Sequence, residues 1–233
     1  MRLFRKEKAA DGRRTVYVLG MRLFSYGGAR RRARSRSAVA VNGRGNVVRN
    51  RNEGNPHLRI RIFGDGNYVQ VDADRPVADI CIGAPDCPAS NCRVVVGEGT
   101  TSNGIFVLLL ENGSSVEIGR DCMFSSDISI FASDTHCILD AEGRLLNAGR
   151  SVRIGDHVWC GQYAKILKNT SIPDNCVVGM GSVVTRSFDE GNCIIAGSPA
   201  KVVKRGISWS RQRPQAYMDE KGAGSSADRT VSK

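Results

Sequence analysis

The sequence predicts an all-β chain wound as a parallel β-helix, and three observations carry that expectation. Ile154, Cys160, Ile166, Ile172, Val178 and Val184 are apolar residues spaced six apart without a break, a period that neither an α-helix nor simple strand alternation produces. Sliding the chain along itself by 18 residues pairs Ile154 with Ile172, Asp156 with Asp174, Gly161 with Gly179, Ala164 with Ser182 and Ile166 with Val184, so three hexapeptides complete one coil. The 26 glycines and 6% aromatic content suit a repeat with many tight corners better than a helical bundle.

Each coil then reads as a triangle of three short strands. One aliphatic side chain per hexapeptide points inward and stacks on its equivalents above and below, and hydrogen bonds run from coil to coil along the axis. Ala164, Thr170 and Ser182 stand four residues after an inward position, where only a small side chain fits the corner. The register continues upstream at Ile118, Phe124 and Ile130. Before that it loosens into strand-like stretches, Arg59-Ile60-Arg61-Ile62-Phe63 and Tyr68-Val69-Gln70-Val71, separated by the corner Gly64-Asp65-Gly66-Asn67. The expected coiled domain is 39–200, regular from about residue 94, with 140–150 projecting as a loop because Glu142 stands where an aliphatic residue is due. Within 201–233, Lys201-Val202-Val203-Lys204 followed by Trp209 reads as a short cap over the open core. The last dozen residues, including Gly222-Ala223-Gly224-Ser225-Ser226, read as a disordered tail.

Charge is placed very unevenly. Residues 1 to 36 hold twelve Arg or Lys against Glu7 and Asp11, so this segment carries +10 of the +11 net charge and the body is nearly neutral. The basicity defines an N-terminal arm, 1–38, with Arg30, Arg31, Arg32, Arg34 and Arg36, and no specific nucleic-acid partner is expected of the body. Three readings of the arm stay open: a solvated tail, an oligomer contact, or a peripheral contact with anionic lipid or polymer, since Val16, Val18, Leu19, Met21, Leu23 and Phe24 lie among the charges. No run approaches the roughly 20 apolar residues of a membrane span, and no signal-peptide pattern opens the chain, so the expected location is cytoplasmic, with contact at the inner face of the membrane left open. The eight cysteines lack CxxC spacing and read as small buried hydrophobes in a reducing compartment.

Three stretches carry a family resemblance: Ile154-Gly155-Asp156-His157-Val158-Trp159-Cys160-Gly161, Val178-Gly179-Met180-Gly181-Ser182-Val183-Val184-Thr185, and Ala196-Gly197-Ser198-Pro199-Ala200-Lys201. Over about residues 94 to 205 the chain resembles the hexapeptide-repeat acyltransferases, and within them the sugar and capsular polysaccharide O-acetyltransferases. The resemblance implies a left-handed β-helix, acetyl-CoA as donor, a saccharide acceptor, no metal, and a homotrimer with active sites between subunits. The left hand is an exception to the usual right-handed crossover, and a six-residue period does not reveal it.

Transfer to an alcohol needs a base that removes its proton and a donor that holds the oxyanion. Of the three histidines, His136 lies in Ser133-Asp134-Thr135-His136 just before the projecting loop, where the resembling family places its base. His157 reads as a turn histidine, and His57 is given no role. Asp134 or Asp127 are the candidates to orient the far nitrogen of His136, and both Asn103 and Asp127 are candidates to meet the acceptor. Trp159, 23 residues after His136, is where the family has a cleft tryptophan whose backbone N–H can serve the oxyanion and whose indole can lie along the donor. The donor-binding candidates are Trp159, Gly161, Ala164, Gly179, Gly181, Ser182, Thr185, Arg186, Lys201 and Arg205, the glycines and small residues for close approach and the others for polar contact.

Other readings differ in what they require. A zinc enzyme on the same fold needs three histidines gathered from adjacent coils, and intervals of 79 and 21 residues do not build that cluster. A small-molecule acceptor, an antibiotic or amino-sugar, uses the same fold and stays open. So does a non-catalytic β-helix scaffold with a membrane-binding arm, which would be indifferent to the loss of His136.

Overall fold

In the computed structural model the described residues are 4–8, 13–18 and 21–27, given by their backbone, then 38–149 and 151–227, with 222–227 also given by backbone alone. Two units divide after Ser35. In the first, Phe4–Lys8, Arg13–Val18 and Met21–Gly27 form a three-stranded antiparallel meander. The expected arm therefore contains regular strands, favoured by β-branched and aromatic residues such as Thr15, Val16, Tyr17 and Val18. The arginine cluster from Arg30 to Arg36 lies outside the described residues.

The second unit is a left-handed parallel β-helix with three faces. The first face stacks seven strands, Ala38–Asn42, Leu58–Phe63, Ala78–Ile82, Ile105–Leu109, Ile128–Phe131, Lys165–Leu167 and Val183–Val184. The second stacks six, from Val47–Asn50 to Thr170–Ile172. The third begins at Thr101–Ser102, continues through Met123–Phe124, Trp159–Cys160 and Val177–Val178, and ends in the antiparallel hairpin Cys193–Gly197 and Ala200–Arg205.

The 18-residue register is the one the sequence implies: Ile154 pairs with Ile172, Cys160 with Val178 and Ile166 with Val184. All six of these side chains are buried, with Ile118, Phe124 and Ile130 stacked above them in the same core. Burying an aliphatic side chain of this size stabilises by about 1.5–3 kcal/mol, and the stack holds one on each face of every regular coil. The aspartates of the repeat work at the corners. The Asp156 carboxylate accepts the Arg120 N–H at 2.8 Å and the Asp174 carboxylate accepts the Asp156 N–H at 2.8 Å, so each coil caps an amide of the one before it.

Three expectations need correcting. The projecting loop begins earlier than 140: the first-face strand of its coil ends at Phe131, and the next strand starts at Ser151. The cap over the core is made by the hairpin, with Val202 packed on the core cluster, whereas Trp209 lies outside that cluster and runs back along the side of the helix. The expected tail is partly helical, since Pro214–Ala227 is an α-helix. Proline suits a first helical turn, and Ala216, Met218, Glu220 and Lys221 are good helix formers. Among the described residues no helix is long and apolar enough to cross a membrane.

Candidate active site

The loop fixes the backbone around His136. Asn147 ties it together: its Nδ2 donates to the His136 carbonyl at 2.8 Å and to Asp134 Oδ2 at 2.9 Å, and its Oδ1 accepts the Ile138 N–H at 2.8 Å. Lys168, from the corner between the first and second faces one coil below, pairs with Asp134 Oδ2 at 2.8 Å and donates to the Asn147 carbonyl. The hydrogen bond from Lys168 holds the Asp134 carboxyl below its ordinary range, outweighing the desolvation that raises it, with Asn147 adding to the depression. Thr135, in the left-handed region at φ 71°, turns the chain between Asp134 and His136.

Asp134 therefore does not orient the His136 ring. Its carboxylate is engaged by Lys168 and Asn147, and only its carbonyl reaches the histidine, accepting the His136 N–H at 2.8 Å. The ring of His136 is exposed and makes no hydrogen bond among the described residues. Asp127, the other candidate, accepts from Gln162 Nε2 at 3.3 Å at the corner between the third and first faces.

Trp159 points outward from the third face, in register with Met123 and Val177, and is 38% exposed. The corner that anchors His136 is the one opposite this face in a triangular coil. One subunit therefore does not bring His136 and Trp159 together. Nor is the Trp159 amide free for an oxyanion: it donates to the Cys176 carbonyl at 2.9 Å as part of the inter-coil ladder.

The donor-binding candidates separate by burial. Ala164 and Ser182 are buried in the tight corner positions, and the Ser182 hydroxyl accepts the Gly197 N–H at 3.2 Å, so neither can line a ligand. A Cβ at Gly161 would lie 2.7 Å from Met180 N, so this glycine is needed for coil spacing. Gly181 turns the chain at φ 69° with open space beside it, while a Cβ on Gly179 would face Ala196. Arg205 is paired with Glu190 at 2.7 Å, and Arg186 lies over the Phe188 ring at 5.4 Å. Thr185 and Lys201 are exposed.

Upstream, a cleft of about 380 Å³ runs along the third-to-first corner, lined among others by His57, Asp79, Phe106, Asp127 and Ser129. Exposed Asn103 precedes Gly104 on its rim. His57, given no role from sequence, thus lines the same cleft as Asp127, three coils away along the stack. His157 is not a solvated turn residue: its Nδ1 meets Asp121 Oδ2 at 2.7 Å and its ring stacks on Trp209 with centroids 4.0 Å apart. A sequence signal existed for it, since the neighbouring coils place Asp121 and Asn175 at the same corner. Along with Gln162, Tyr163 and Met180 at the third-to-first corner, it escaped the hexapeptide pattern, which marks inward positions only. The three histidines occupy three different edges, and among the described residues no three His, Cys, Asp or Glu side chains are grouped to hold a metal. Six of the eight cysteines are buried, and burial pushes the Cys81 and Cys122 thiols up to about 11, as expected of core residues.

No protein-family model matches the chain. It is 43% identical over 130 residues to a polysialic acid O-acetyltransferase of Neisseria meningitidis, a match covering 55% of this chain and 60% of that protein. It is 31% identical over 131 residues to a polysialic acid O-acetyltransferase of Escherichia coli O1:K1 / APEC, covering 55% and 42%. The chain thus spans about half the length of these curated relatives. The crystal structure of the polySia-specific acetyltransferase NeuO superposes with a TM-score of 0.64 at 27% identity, covering 83% of this chain and 98% of that one. In sequence over about half its length, and in fold, the chain is similar to the polysialic acid O-acetyltransferases.

Proposed function

We propose that this protein transfers an acetyl group from acetyl-CoA to a hydroxyl of a sugar, most suitably within a surface polysaccharide, in a homotrimer whose active sites lie between subunits. The single observation that carries the reading is the placement of His136: a loop pinned at three points presents an imidazole with no hydrogen-bond partner among the described residues, on the edge of the coil opposite Trp159. A histidine so held is complete only when a neighbouring subunit supplies the other wall. The names of the relatives support the saccharide class, and the exposed aliphatic tip of the loop, Ile138, Leu139, Leu145 and Leu146, supports its docking on a partner.

In this reading His136 of one subunit takes the proton of the acceptor hydroxyl as its oxygen attacks the thioester carbonyl, and returns that proton to the departing thiolate. The neutral imidazole takes the proton in the first step, and the imidazolium so formed gives it back in the second. Asp134 acts through the loop and not through the ring. The neighbour's third face supplies Trp159 as a wall, and its third-to-first corner, with Gln162, Met180 and Gly181 followed by Thr185, Arg186 and Lys201, supplies the track for the donor. Asn103 and Asp127 border the cleft in which the acceptor would lie. The arm's contact with an anionic membrane surface belongs to the same proposal, as a means of keeping the enzyme beside its polymer.

The test is thiol release from acetyl-CoA with a panel of sialylated and neutral oligosaccharides, comparing the intact protein with His136→Ala. Acceptor-dependent release abolished by the substitution supports the assignment. Full activity in the variant would remove His136 as the base.

A further inference from the structure

In the coil that carries Trp159, two residues with rings take the left-handed backbone conformation. His157 has φ 53° and Tyr163 φ 62°. The corners stacked on His157 are Asp121 at 51°, Asn175 at 59° and Asn192 at 54°, residue types that reach the left-handed region at low cost. Histidine also reaches this region more readily than most residues, and at this corner its larger ring is held by its surroundings.

What holds it is a strap that follows the terminal hairpin. The His157 ring lies flat on the Trp209 indole, with 11° between the planes and centroids 4.0 Å apart. Trp209 Nε1 donates to the His157 carbonyl at 2.8 Å, and His157 Nε2 lies 3.2 Å from the Trp209 carbonyl. On the other side Asp121 meets His157 Nδ1 at 2.7 Å. Arg211 then fastens the strap to two adjacent coils at once, donating to Thr101 Oγ1 at 2.8 Å, to the Cys122 carbonyl at 2.9 Å and to Asp121 Oδ1 at 3.0 Å. The product is a buried indole, Trp209, whose centroid stands 6.1 Å from that of the exposed Trp159 at a tilt of 47°.

We infer that His157 and Trp209 are positioning residues: together they clamp the Trp159 indole in the orientation that the transfer site uses. The inference rests on the reading of Trp159 as a wall of that site. The strap contributes no group to the chemistry. It turns a side chain on a flat, open sheet face into a fixed surface, which a preorganised site requires.

The chain has two tryptophans, so Trp209→Phe and Trp209→Ala each leave Trp159 as the only tryptophan, excited selectively at the red edge of its absorption. Time-resolved anisotropy of Trp159 in Trp209→Phe decays with overall tumbling alone, because a phenyl ring keeps the wall. In Trp209→Ala a fast component appears, and KM for acetyl-CoA rises about tenfold. His157→Asn separates a clamp from a mere corner. Asparagine is what Asn175 and Asn192 place at this position, so a purely structural role leaves KM unchanged, whereas the clamp raises it as Trp209→Ala does. The double variant His157→Asn/Trp209→Phe supplies the anisotropy readout if Trp209→Ala does not fold. Trp159 anisotropy in Trp209→Ala or the double variant that matches Trp209→Phe, together with unchanged KM in Trp209→Ala and His157→Asn, overturns the inference. If the intact protein releases no thiol, the enzymatic reading fails, and the anisotropy comparison still decides whether the clamp exists.

Discussion

The loop that carries His136 and the corner that carries His157 treat an imidazole in opposite ways, 21 residues apart. In the loop the backbone is tied down by Asn147 and Lys168 while the ring has no hydrogen-bond partner among the described residues. At the corner the ring itself is held, by Asp121 on one side and Trp209 on the other. A proton carrier needs the first arrangement, since a ring already committed on both nitrogens has nothing left to offer a substrate. A spacer that orients its neighbours needs the second. Residue type is the same in both; the difference is which part of the residue the fold holds.

The largest expected effect breaks the comparison at the loop. His136→Ala lowers kcat/KM by about 10²–10⁴, the usual contribution of a general base, with the melting temperature unchanged because the ring supports no packing. A stability loss of similar size in the same variant would make His136 structural. Next, Gly161→Ala costs about 1–3 kcal/mol by chemical denaturation, because the added methyl meets the Met180 backbone at 2.7 Å. A stable Gly161→Ala that binds acetyl-CoA poorly would instead return Gly161 to the donor track.

Lys168→Met tests the anchor and is expected to be milder. It leaves the coil intact and frees Asp134, so activity falls about tenfold through loss of loop geometry, while limited proteolysis within 132–150 accelerates. The smallest effect concerns pH. Both Asp134 and Asp121 have carboxyls held below 3.8: in Asp134 the Lys168 hydrogen bond dominates, and in Asp121 desolvation raises the value but the bonds from His157 and Arg211 outweigh it. A depressed folded pKa gives a contribution that is fully present above the unfolded value and lost as pH falls through the folded one. Both anchors are therefore intact from mild acid upward, and proteolytic protection of the loop disappears only below about pH 4. Loss of protection between pH 5 and 7 would point to a histidine instead.

The sequence made the coil legible because each inward position is read three times per turn. Ile154, Cys160, Ile166, Ile172, Val178 and Val184 announce their own register, and the corner aspartates Asp156 and Asp174 follow it. The site was legible only in part. His136 stands out by its place before a break in the repeat, whereas the partners of its loop, Asn147 and Lys168, are set by a coil-to-coil contact that no local pattern encodes. Trp209 and Arg211 reach back 52 and 90 residues to His157 and Asp121, a separation at which periodicity carries no information. Ala164 and Ser182 matched a donor-binding pattern for the wrong reason, since their small size serves the interior of the corner.

The central claim is that His136 and Trp159 complete one site from two subunits, and complementation tests it most directly. His136→Ala and Trp159→Ala chains, each inactive when alone, are unfolded, mixed in equal amounts and refolded together. Cyclic pairing expects about a quarter of the wild-type rate to return, because mixed trimers regain one intact site in three. Absence of any activity beyond that of the separate variants would contradict a shared site.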